Sequence, residues 1–236
     1  MPPASRLAAI GDLHGNVDSL RTVLRLAMKK GCQGLLLVGD FQPYPAAGKS
    51  RTEILEEMFT LLSEAAAAGL PSLWVPGNHD RRDIRRSGNV DRRSETLAGL
   101  RVTGIGGAGP DRFGFPYEWN EDDIRALRLP EADILLCHAP PSRTALDKLL
   151  HGRHVGSDAI RERALRHRGV LVCGHIHEAA GIERLGDCLC LNTGSLGEPY
   201  ARLQCGFIEW GTDTVEVIHD DLESGLTQRQ TLCLSS

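Results

Sequence analysis

The sequence predicts an α/β protein with two stacked sheets and helices on their outer faces. Two observations lead there. The first half alternates short apolar runs with helical patterns in the order βαβαβ, whereas the chain beyond about residue 178 carries short strand-like runs without helices. Residues 6–10 read as the first strand, and 16–29 as a helix with its stripe at Val17, Leu20, Leu24 and Ala27. Residues 34–38 form a continuous apolar run, the mark of a strand buried on both faces. Residues 52–68 repeat Ile54, Leu55, Met58, Leu61, Leu62 and Ala65 on one helical face. A strand over 72–75 closes at Pro76-Gly77. Strands over 101–105 and 134–137, a helix over 157–167 and a strand over 170–173 follow. The β-rich end has strands over 181–185, 188–191, 204–210 and 214–219, with turns at Gly186-Asp187 and Gly211-Thr212. Residues 222–236 are weakly patterned and read as a loose tail or a short final element. No repeat or linker divides the chain, so 1–236 reads as a single domain.

Composition narrows the class. The 236 residues hold 27 Lys+Arg and 31 Asp+Glu, a net charge of −4, with 41% hydrophobic and 25% charged residues. This excludes a disordered or fibrous chain and argues against a generally basic nucleic-acid binder. The seven cysteines form no CxxC pair and several sit in apolar runs, so they read as reduced, buried, small hydrophobes. Residues 1–10 contain no apolar stretch of signal length, and nothing approaches the roughly 20 apolar residues that span a bilayer. A cytoplasmic protein without a membrane partner is expected.

The chemistry gathers where strands end. Five apolar runs lead into Gly11-Asp12-Leu13-His14, Gly39-Asp40, Gly77-Asn78-His79-Asp80, His138-Ala139-Pro140-Pro141 and Gly174-His175-Ile176-His177. In α/β sheets the carboxyl ends of strands form the rim where ligands bind. Asp12, His14, Asp40, Asn78, His138, His175 and His177 supply seven imidazole, carboxylate and amide donors, more than one four- to six-coordinate ion uses. Two ions sharing one bridging carboxylate would use them all. Each motif alone has a plainer reading, such as a helix cap at Asp12 or a turn at Asn78. Their joint occurrence in order, each at a strand end, favours a metal site.

As a set these motifs resemble the calcineurin-like metallophosphoesterase superfamily, and among its members the small prokaryotic phosphoesterases of unassigned substrate. Asn192-Thr193-Gly194-Ser195 adds a further point of likeness. The resemblance implies a four-layer αββα sandwich. It also implies that Asp12, His14 and His177 hold one ion, Asn78, His138 and His175 the other, and that Asp40 bridges them. The second motif reads Gly39-Asp40-Phe41-Gln42-Pro43-Tyr44 and lacks the Asp-Arg-Gly of protein phosphatases, which disfavours a phosphoprotein substrate.

The chemistry implied is hydrolysis of a small phosphate ester, diesters ahead of phosphoproteins, by a hydroxide bridging two divalent ions about 3.5–4 Å apart. Mn²⁺ leads Fe and Zn as the metal. His79 is assigned as the acid for the leaving group or a donor to the transition state, with Asp80 orienting it. Arg153 and His154, in the glycine-bounded stretch 152–157, are assigned to the substrate phosphate. Residues 81–94 hold six arginines against two aspartates. They read first as a solvated helix face and second as the nucleic-acid contact of a nuclease. A non-catalytic scaffold of the same fold is the remaining alternative.

Overall fold

The computed structural model describes residues 5–43, 50–200 and 202–234. Tyr44 of the second motif and the last two residues of the expected tail lie outside them. In chain order the elements are β1 (Ser5–Ile10), α1 (Val17–Lys29), β2 (Gly34–Leu37), α2 (Arg51–Ala67), β3 (Ser72–Trp74), β4 (Ser94–Leu97) and β5 (Leu100–Ile105). Then come α3 (Glu121–Ala126), β6 (Ile134–Cys137), α4 (Asp158–Ala164), β7 (Gly169–Cys173), β8 (Gly181–Leu185), β9 (Cys188–Asn192), β10 (Gln204–Trp210), β11 (Thr214–Asp221) and β12 (Thr227–Cys233). Two mixed six-stranded sheets result, in the orders β12-β11-β10-β1-β2-β3 and β4-β5-β6-β7-β9-β8.

Alternation along each strand sorts side chains between layers. Leu7, Ala9, Leu36 and Val38 of the first sheet meet Val102, Ile134, Leu136, Val170 and Val172 of the second in a core between the sheets. Ala8, Ile10, Leu35 and Leu37 face the other way, onto Leu20, Val23, Leu24, Met58 and Leu62 of α1 and α2. Leu135, Leu171 and Cys173 likewise face Ile124, Ala159 and Ile160 of α3 and α4. These three apolar seams make four layers, helix–sheet–sheet–helix, as expected. Both long helices start on polar caps: Asn16 accepts from the Ser19 N–H, and Ser50 and Glu53 form a reciprocal capping box.

β1, β2 and β3 run parallel to one another, as do β5, β6, β7 and β9, so their carboxyl ends open on shared rims. The structure corrects several sequence expectations. Residues 81–94 contain no helix; they cross between the sheets in turns, and only their end enters a strand, β4. Of the two readings of 222–236, the short final element is the one found: Thr227–Cys233 forms β12, an antiparallel edge strand beside β11 in which only Leu232 is buried. Six cysteines are buried as expected, but Cys233 is exposed, and no two of the seven form a disulfide. No helix among the described residues is long and apolar enough to cross a membrane.

Candidate dimetal site

Main-chain hydrogen bonds join the first strand-end segment to the second and the fourth to the fifth, while the Asp40 and Asp80 carboxylates tie in the third. The N–H groups of Asp12, His14 and Gly15 donate to the carbonyls of Gly39, Asp40 and Phe41, at 3.0, 2.8 and 3.0 Å. Gly174 N–H donates to the His138 carbonyl, and Gly197 N–H to that of Asp12. Such close approach is what the glycines before the ligands allow. A Cβ on Gly77 would lie 2.0 Å from Oδ1 of Asp40, and one on Gly174 2.2 Å from Oδ2 of Asp12. Asp12, His14, Asp40 and His175 themselves adopt positive φ, between 40° and 69°, a conformation rare for non-glycine residues that concentrates at functional sites.

The donor atoms converge. Donors of Asp12, His14 and His177 lie within 4.8 Å of one another, as do those of Asp12, Asp40 and His138. Nε2 of His14 and Nε2 of His177 stand 3.3 Å apart. Oδ2 of Asp40 lies 3.6 Å from Nε2 of His138 in its own triad and 3.6 Å from Nε2 of His14 in the other, and Asp12 belongs to both. Asn78 Oδ1 lies 2.8 Å from the same His138 nitrogen, while Nδ1 of that ring donates to the Val38 carbonyl at 2.6 Å. The contact with Val38 fixes the tautomer and turns the Nε2 lone pair inward. His175 stands outside both triads, its ring centroid 5.0 Å from that of His138, while its main-chain N–H donates to Oδ2 of Asp12.

The electrostatics call for cations. Asp12, Asp40, Asp80 and His138 are fully buried or nearly so. Among the described residues, the bonding partners of the three carboxylates are imidazoles and main-chain N–H groups. Burial, aided by the charges of Asp12 and Asp80, pushes Asp40 well above the usual carboxylate range. Burial lowers His14 and His175 to about 3, so both imidazoles present lone pairs at neutral pH. Burial alone would raise Asp12, but the attraction of His177 and the hydrogen bond to it carry Asp12 below its ordinary value. Burial lowers His177 too, but the charge of Asp12 and the hydrogen bond to it outweigh burial and raise His177 above its ordinary value. Buried carboxylates beside the neutral imidazoles of His14 and His175 suit divalent ions, and the donor set fits two of them.

His79 is half-buried beside this cluster, its ring edge-on to His14 with centroids 5.3 Å apart, and burial lowers it to about 4. Asp80 departs from expectation. Its carboxylate accepts the main-chain N–H groups of Gly77, Phe41 and Gln42 at 2.8, 3.0 and 3.1 Å, so it fastens two ligand loops together instead of orienting the His79 ring. His154 is drawn to the buried Asp147 at 2.7 Å, and Arg153 stays exposed with its carbonyl on the Leu149 N–H. These bonds tie both residues to their own loop, and the structure does not bring Arg153 and His154 to the seven donors. Sequence reading missed Phe115, whose ring lies 4.5 Å from His79, and Tyr200, edge-on to His177 at 6.0 Å. It also left Ser195 without a role; its hydroxyl lies within hydrogen-bond reach of the Gly197 carbonyl at 2.7 Å and the Asp12 carbonyl at 3.1 Å.

Known proteins share both the sequence pattern and the fold. The sequence model of the calcineurin-like phosphoesterases matches residues 5–179. An uncharacterized protein of Methanocaldococcus jannaschii, MJ1162, is 29% identical over 202 residues, covering 79% of this chain and 87% of that one. A dimetal phosphatase from Danio rerio superposes with a TM-score of 0.67 at 12% identity, covering 99% of this chain and 100% of the other. TT1561 of Thermus thermophilus gives 0.61 at 18% identity, with coverage of 96% and 98%. At these identities the structural likeness is one of fold.

Proposed function

Because the chain belongs to the calcineurin-like phosphoesterase family, we propose that it hydrolyses small phosphate esters, diesters ahead of phosphoproteins, at a pair of divalent ions led by Mn²⁺. One observation carries the reading: a single oxygen of Asp40 stands 3.6 Å from a ring nitrogen of each triad. Bound there, two divalent ions would supply an activated water and positive charge for the phosphoryl oxygens. Asp12, His14 and His177 would hold one ion and Asn78, His138 and His175 the other, with Asp40 shared between them. His138 is kept in register by Val38, and Asp12 by Ser195 and Gly197. His79, beside His14, donates a hydrogen bond or proton to the leaving oxygen. Asp80 acts as a positioning residue through the loop amides it binds. Residues 1–236 act as one domain, since β1 pairs with both β2 and β10. Cytoplasmic residence fits seven unpaired cysteines.

The nuclease reading draws less support. Arg81, Arg86 and Arg93 are each matched by a carboxylate, of Asp83, Glu56 and Glu95. The test is a metal-reconstituted panel of bis-p-nitrophenyl phosphate, p-nitrophenyl phosphate, cyclic nucleotides and single-stranded DNA with Mn²⁺, Ni²⁺ or Co²⁺. Hydrolysis of the diester with weak salt dependence is expected. Activity confined to DNA and falling steeply with salt means a nuclease; no hydrolysis of any of them means a scaffold.

A further inference from the structure

The rim of the site carries apolar surface that phosphate chemistry does not require. Phe113 and Phe115 are 61% and 39% exposed, in a molecule whose large apolar side chains are otherwise mostly buried. They are not scattered. The Phe115 ring lies 4.5 Å from His79 at a tilt of 51°, and Phe113 lies 6.4 Å from Phe115. With His79 and His14 they form a continuous file of rings leading outward from the metal ligands.

The segment bearing them is held in place. Glu118 accepts the N–H groups of Phe113 and Gly114 at 3.0 and 2.9 Å. Tyr117 donates its N–H to the carbonyl of the ligand Asn78 at 3.2 Å, and its hydroxyl to Asp91 at 2.7 Å. The Arg112 guanidinium covers the Phe113 ring at 4.9 Å. Two phenyl groups fixed beside a reacting centre yet left open to water have the form of a recognition surface.

We propose that Phe113 and Phe115 form a subsite for a flat, unsaturated ring carried by the leaving group of the phosphate ester. The proposal rests on the phosphoesterase reading and names the substrate class of that site. A leaving group met by His79 emerges against Phe115, which touches His79. Aromatic pairs favour centroid separations of 4.5–7 Å in offset or edge-on contact, the range that the file already shows. A nucleobase and a simple aryl group share this chemistry.

The test compares kcat/KM of the Mn²⁺-loaded protein on the methyl phosphodiesters of 2-phenylethanol, 2-cyclohexylethanol and adenosine (5′-linked), with bis-p-nitrophenyl phosphate as the activity control. Phenylethanol and cyclohexylethanol leave through similar primary oxygens and differ in ring flatness. The expectation is about a tenfold preference for the flat-ring esters over the cyclohexyl ester, lost in the Phe113→Leu, Phe115→Leu double variant, which keeps apolar bulk. Preference for the adenosine ester alone supports the subsite and makes its occupant a nucleobase; preference for both supports any flat ring. Cleavage of bis-p-nitrophenyl phosphate with equal rates on the three esters, or a preference that survives the double variant, overturns the subsite and leaves the phosphoesterase reading standing. Failure to cleave even bis-p-nitrophenyl phosphate overturns both.

Discussion

The main-chain N–H of His79 donates to Oδ1 of Asp40 at 2.9 Å. The bond occupies one carboxylate oxygen and leaves the other facing His14 and His138. It also couples the loop that bears His79 to the proposed bridge. Asp40→Asn should therefore keep the fold, seen as an unchanged circular dichroism spectrum. It should lower kcat/KM on bis-p-nitrophenyl phosphate by about 100-fold or more, since an amide oxygen binds two cations poorly. Activity within threefold of wild type would remove Asp40 from the bridge.

His79 touches the cluster by its ring but belongs to neither triad of donors. His79→Ala should retain the bound metal and lower kcat by about 10²–10⁴ on alkyl diesters, whose leaving oxygen needs a proton. The loss should be much smaller on p-nitrophenyl esters, whose leaving group departs as the anion. Equal losses on the two classes would deny His79 contact with the leaving group.

Asp80 gathers three main-chain donors from two loops onto one carboxylate. An Asn there offers one acceptor oxygen, so Asp80→Asn should cost about 1–3 kcal/mol of stability in urea unfolding. Activity should fall while the shape of the pH–rate profile stays that of wild type. A displaced limb in that profile would restore Asp80 as the group that holds the His79 proton.

His219 lies on β11 facing the seam between the sheets, only 4% exposed. Burial lowers its pKa, against the opposing pull of Asp221 and Asp220 and a hydrogen bond to the Thr193 backbone. The folded chain thus binds this proton less readily than the unfolded chain, in which histidine titrates near 6.5. Its contribution to stability is present above that value and is lost as the pH falls towards the folded pKa. In a chelator-treated sample the melting temperature should drop between pH 7 and pH 5, and His219→Gln should flatten that slope. An unchanged slope in the variant would assign the acid sensitivity elsewhere.

The strand ends were legible in the sequence because the parallel strands are buried on both faces. Residues 34–37 and 134–137 therefore read as unbroken apolar runs, each followed by its ligand. Where burial is one-sided or slight, the pattern fades. α3 buries only Ile124 and β4 only Leu97, and neither was anticipated; β12 buries only Leu232, and its stretch read no further than a loose tail or a short final element. The arginines of 81–94 hid a crossing segment pinned by Val90, which is fully buried, and not by a helical stripe. Asp80 follows His79 in the chain, but neighbours in an extended loop point apart, and its carboxylate found amides of another loop. Phe113 and Phe115 fall in a glycine- and arginine-bearing stretch without periodicity, and only the fold brings Phe115 to His79.

If side chains from five strand ends enclose a pair of cations, the number of bound ions per chain decides the matter. The chain is stripped with chelator, reloaded with Mn²⁺, freed of excess by gel filtration and measured by elemental mass spectrometry. Two ions per wild-type chain are predicted, with fewer in Asp40→Asn. Saturation of the wild-type chain at one ion, or at none, would contradict the account.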